Sequence, residues 1–254
     1  MNLDMKDAQA ITVWCDETEV SYNGGTHHVI GNLITDSDTE EFRFLNEAIK
    51  LRKKHRFWTT LHGAGLSYSE KELAFMEDLI KLFWNTERVY FHVFVYKENR
   101  TYANNGFEKY FAKQSAFALG MKLRKEGYPI NTLFSQVGTV RFLFDRRTGD
   151  SSRGLDSDYK DEIKKQLRKQ SKRSDDLTVR FSFVSSECFD LMQLTDIFLY
   201  MIKLHGENKI SPGCISVGQQ KLVSIFEKYF LNEKMQKLSD YEYSEKVNFF
   251  ISNR

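Results

Sequence analysis

The chain predicts an α/β fold with a mixed sheet flanked by helices. Three observations carry that expectation. Apolar runs of strand length alternate with longer segments of helical period. The chain opens with two strand-like runs around Asn23-Gly24-Gly25, a hairpin signal that makes part of the sheet antiparallel. The middle run, Val89–Tyr96, is apolar or amphipathic on both alternations, as expected for a strand covered on both faces.

The elements follow in order. Ile11–Cys15 reads as a short buried strand, ended by Asp16-Glu17, and His28–Ile34 as its returning partner. Glu40 to Lys54 reads as a helix whose inner stripe is Phe42, Leu45, Ile49 and Arg52, with a basic end that suits the helix dipole. Phe57–Leu61 reads as a brief strand, broken by Gly63-Ala64-Gly65. Ser69 and Glu72 form a capping box for a helix whose core face is Leu73, Met76, Leu79, Ile80 and Phe83. Helices are expected over 106–126 and 155–173, with strands at Thr139–Phe144 and Thr178–Val184. Asp190 to Leu204 reads as a helix apolar on most sides, and Ile215 to Phe230 as another. The expected organisation is one domain over 1–254, with a core of about 11–205 and a helical C-terminal appendage over 206–254.

Composition narrows the class. At 254 residues, 41% apolar and 28% charged, the chain can bury a full core. The net charge of +2 excludes a polycation, so nucleic acid would have to meet a local basic patch. Three widely spaced cysteines, Cys15, Cys188 and Cys214, show no metal-ligand spacing and read as reduced thiols of a cytoplasmic protein. Met1–Ala10 lacks the apolar stretch of a signal peptide, and no run approaches a membrane span, so no membrane association is expected.

The chemistry lies in the acids. Asp16-Glu17 follow one buried run directly, and Asp145 follows another, Val140–Phe144. Carboxylates at the ends of neighbouring strands need a cation, a donor or a shared proton. Asp196 stands in a greasy helix beside Gln193, three residues away on the adjoining face, with Asp190 a turn earlier. Each acid also has a plain structural reading. Asp16 could cap a turn, Asp145 could pair with Arg146 or Arg147, and Asp196 could accept backbone hydrogen bonds. A histidine placed as His62 is, before Gly63, is more often a satisfied loop residue than a ligand. His27 and His28 are assigned no function. Between Lys160 and Arg173 there are seven basic and two acidic residues. Lys164, Arg168 and Lys172 share one helical face with Lys165 and Lys169 beside it, which is either a solvated surface or a phosphate-binding face. No Gly-rich phosphate loop of the G-x-x-x-x-G-K-[ST] kind is present.

Asp16-Glu17, His62-Gly63, Phe144-Asp145-Arg146-Arg147 and Ser186 with Gln193-Leu194-Thr195-Asp196, in that order, resemble the family called domain of unknown function 3800. The resemblance covers about residues 11–205. It implies a ribonuclease-H-like sheet, with Asp16, Asp145 and Asp196 as ligands of Mg²⁺ or Mn²⁺. Glu17 would be a ligand or general base, Gln193 would orient a ligand or water, and His62 would be accessory. The implied activity is metal-dependent phosphodiester hydrolysis of DNA or RNA, in antiphage defence or a mobile element. Arg146, Arg147, Lys164, Lys165, Arg168, Lys169 and Lys172 would hold the nucleic-acid backbone. The chain departs from the family at Thr60, where members often carry an acid two residues before the histidine. That departure keeps a second expectation open: an inactive nucleic-acid-binding or scaffold subunit. The aromatic content leaves room for a protein partner or a homo-oligomer.

Overall fold

β-branched and aromatic residues keep the first strand extended well past the run that the sequence marks out. In the computed structural model β1 covers Gln9–Tyr22 and pairs antiparallel with β2, Gly25–Thr35, from Thr12↔Thr35 to Tyr22↔Gly25. The residues described are 9–22, 25–35, 37–97, 115, 137–145, 161–167, 178–185, 190–231, 236–238, 241–243 and 247–252. Asp16 and Glu17 therefore stand inside a strand rather than at its end, a correction to the sequence reading. What ends there is the pairing with the next strand.

The remaining elements are α1 (Asp38–His55), a 3-10 turn (Gly63–Gly65), α2 (Glu70–Asn85), β3 (Val89–Lys97) and β4 (Val137–Asp145). A helical stretch, α3 (161–167), precedes β5 (Thr178–Val184), α4 (Asp190–Ile210) and α5 (Val217–Phe230). Three strands close the chain: β6 (Gln236–Leu238), β7 (Tyr241–Tyr243) and β8 (Val247–Ser252). The sheet order is β5-β4-β1-β2-β3-β8-β7-β6. The first three strands form an antiparallel meander, while β4 and β5 run parallel to β1. This mixed α/β sheet with flanking helices is consistent with a ribonuclease-H-like fold. Among the described residues, the expected C-terminal helical appendage is helical only as far as Phe230. Beyond it β8 joins the sheet in parallel beside β3.

One sheet face carries Trp14, Val29, Leu33, Phe91 and Val93 into a core shared with α1, α2, α4 and α5. The alternate positions Ile11, Val13, Cys15, Ile30, Ile34, Phe142 and Phe144 are equally buried, so both faces are covered. α4 lies across β1 and β2 on the first face. Gly31, opposite Asp16 in the ladder, makes that close packing possible. A Cβ there would stand 2.9 Å from the Leu199 side chain.

Local corrections follow from packing. Phe42 and Ile49 are 67% and 41% exposed, while Phe44, Ala48 and Arg52 are buried, so the inner stripe of α1 is rotated from the expected one. Phe57–Leu61 is a loop, not a strand. Ser69 caps α2 as expected, but Glu72 turns to Ser67 Oγ and the Tyr68 N–H instead of closing the box. The helix expected over 106–126 lies outside the described residues except for helical Ser115, as does most of 155–173. No described helix is long and apolar enough to cross a membrane.

Candidate functional site

The parallel ladder between β1 and β4 ends at Cys15↔Phe144. The next residue on each strand is an aspartate, so register alone makes Asp16 and Asp145 neighbours on the face that α4 covers. Asp196 comes from α4. The chain thus brings its three singled-out aspartates to one side of the sheet. Their charges act on each other: Asp16 is only 8% exposed, and its carboxyl is pushed well above the usual range. Burial is the largest cause, followed by repulsion from Asp196, Glu17 and Asp145, and only the Glu17 N–H, 2.8 Å away, offsets them. Behind it, burial pushes the Cys15 thiol up against the opposing effect of Ser115, and Asp16 and Glu17 add to the rise.

Asp196 is anchored. Its Oδ2 accepts the Gly63 N–H at 2.8 Å and stands 2.8 Å from His62 Nδ1. Among the described residues both of its hydrogen bonds fall on that one oxygen, which leaves Oδ1 for another partner. His62 is exposed, with its ring tethered at one nitrogen. Gly63 is required by proximity, since a Cβ would meet Tyr200 Cβ at 2.5 Å.

Gln193, one turn earlier on α4, faces inward and is 3% exposed. Its Oε1 accepts from the Leu61 N–H at 2.9 Å and from Arg52 at 2.9 Å. Arg52 also pairs with Asp190 and donates to the carbonyls of Phe57 and Thr59 at 3.3 and 3.0 Å. Asp190, Gln193 and Asp196 together therefore clamp the loop 57–63 onto the helix. Arg52 is the member of this cluster that no acidic motif marks. Its signal is a cation at apolar spacing in α1. Thr60, where the resembled family has an acid, is exposed on this loop.

Of the basic residues, Lys164 is half-buried in α3, and Lys165 is exposed, 3.7 Å from Glu162. Arg146, Arg147, Arg168, Lys169 and Lys172 lie outside the described residues, as does Ser186.

The acids suit Mg²⁺ or Mn²⁺ in kind: hard carboxylate oxygens gathered near a buried carboxyl. Their spacing is looser than a chelate. Among the described residues, no three His, Cys, Asp or Glu side chains are gathered closely enough to hold an ion. A bound cation would have to draw the carboxylates together.

No family model matches the chain, and no curated protein does.

Proposed function

We propose that this chain is a metal-dependent phosphodiesterase acting on DNA or RNA, of the ribonuclease-H-like kind its motifs resemble. One observation carries the reading. Asp16 is a buried acid pressed by three further acids from β1, β4 and α4. That arrangement costs stability unless a cation or a proton compensates it. Asp16, Asp145 and the open oxygen of Asp196 would hold Mg²⁺ or Mn²⁺, which supplies charge compensation and a more acidic bound water. Glu17 follows Asp16 on β1 and so points to the opposite sheet face, where it adds negative charge near Asp16 without facing the other two acids. His62 and the Gly63 N–H hold one oxygen of the Asp196 carboxylate in place. Gln193 acts at one remove, by fixing the loop that carries His62.

A second reading, a nucleic-acid-binding subunit without catalysis, draws on the loose spacing of the acids and on Thr60. One experiment separates the two. Labelled single- and double-stranded DNA and RNA are incubated with the protein in Mn²⁺ or in chelator, beside an Asp145→Asn variant. The phosphodiesterase gives cleavage that needs the ion and falls at least about 100-fold in the variant. Binding with no cleavage in any condition selects the subunit.

A further inference from the structure

We infer that Trp58 is a stacking platform for a base of single-stranded nucleic acid, held at the rim of the acidic site. This inference rests on the nucleic-acid reading above and adds the form of the substrate.

Trp58 is 64% exposed, and it is the largest of the exposed apolar side chains among the described residues. Its neighbours explain how it came to face outward. Arg56 takes a left-handed conformation, φ 51°, at the end of α1. Its N–H and that of Phe57 bond back to Lys53 and Arg52, which closes the helix as a Schellman turn. Phe57 then folds inward and stacks on Phe75 at 4.9 Å. Leu61 is buried. Trp58, between them, is turned to solvent.

The loop under it is rigid. Arg52 holds the carbonyls of Phe57 and Thr59, Gln193 holds the Leu61 N–H, and Asp196 holds the Gly63 N–H. None of these contacts uses the indole. The fold therefore fixes where Trp58 stands without needing Trp58. His62 is four positions further along the chain, so even a fully extended backbone keeps the two Cα atoms within about 14 Å. That is a short stretch of a nucleic-acid strand from the carboxylates.

The surroundings favour a polyanion. From Arg52 to His62 the chain has four Lys or Arg residues and no acid. Arg52, Lys54 and His62 are committed to Asp190, Asp78 and Asp196, but Lys53, Arg56, Thr59 and Thr60 are exposed in the same stretch of chain as Trp58. Cations and hydroxyls beside an aromatic face match phosphates beside a base. A duplex hides the faces of its bases, so the match is to a single strand.

The test uses the full chain in chelator, which separates binding from cleavage. Tryptophan emission is followed during titration with single-stranded DNA, single-stranded RNA and duplex DNA of equal length. Trp14 is 2% exposed and Trp84 half-buried, so the quenched signal belongs to Trp58. We expect quenching by one or both single strands and little by duplex. In Trp58→Ala the quenching is lost; affinity, read for parent and variants alike from the anisotropy of a labelled strand, falls about tenfold in Trp58→Ala and is mostly recovered in Trp58→Phe. Circular dichroism and melting of the variants check that the fold is kept. An Ala variant that binds single strands as tightly as the parent overturns the inference, as does quenching by duplex alone. So does a variant that changes only self-association. If these results come with Mn²⁺-dependent cleavage, only the role of Trp58 falls. If the parent neither binds nor cleaves, the phosphodiesterase reading falls with it.

Discussion

Arg52 makes the sharpest residue-scale case. A guanidinium 8% exposed is tolerable only when its donors are met, and here they meet Asp190, Gln193 and two loop carbonyls. Its planar head also lies 5.2 Å from the Phe75 ring centre. Arg52→Met keeps the stem and removes every donor. It strands a largely buried Asp190, so we expect a loss of about 3–5 kcal/mol in urea unfolding. The same variant should speed hydrogen exchange at the Leu61 and Gly63 amides, because the loop clamp starts at Arg52. Unchanged exchange at those amides would show that the loop is held by something else. The three aspartates were legible in the sequence because a carboxylate inside or beside an apolar run has few inexpensive explanations. The clamp role of Gln193 was not legible, since its partners Arg52 and Leu61 are more than 130 residues away.

At the scale of elements, α1 and α2 are tied together through Asp78. Partial burial alone would raise its carboxyl, but hydrogen bonds from Lys54, His55 and Lys81 outweigh that and hold it well below the usual carboxylate range. A carboxyl depressed in the folded state contributes stability above its unfolded value, near pH 4, and loses it as pH falls toward the folded one. Asp78→Asn should therefore cost roughly 1–2 kcal/mol at pH 7. The gap to the parent should close as the pH is lowered from about 5 toward 2, read from urea midpoints across that range. A constant gap would mean that the loss comes from packing rather than charge. The stripe of α2 was legible in full, since Leu73, Met76, Leu79, Ile80 and Phe83 are all buried. That of α1 was not. Its outer face carries Phe42 and Ile49 while its inner face spends a position on Arg52, so counting apolar residues turned the helix the wrong way.

At the scale of the whole molecule, the sheet is a five-strand mixed core with a three-strand extension that the sequence hid. Strands of three residues such as Gln236–Leu238 and Tyr241–Tyr243 are too short to display a period of two. The extension nonetheless covers a vulnerable edge. β3 carries Val89, Phe91, Val93 and Phe94, all buried, and its outer side pairs with β8 from Phe91↔Val247 onward. Val247 is fully buried in the same core as Phe91 and Phe198. Removing residues 232–254 would leave β3 as a long apolar edge with unpaired backbone groups, the usual template for association between chains. We expect the truncated protein to unfold at lower urea and to scatter light at concentrations where the full chain stays clear. A truncated chain with the parent's midpoint and no added scattering would show that β3 tolerates an open edge and that β8 adds nothing to the sheet's stability.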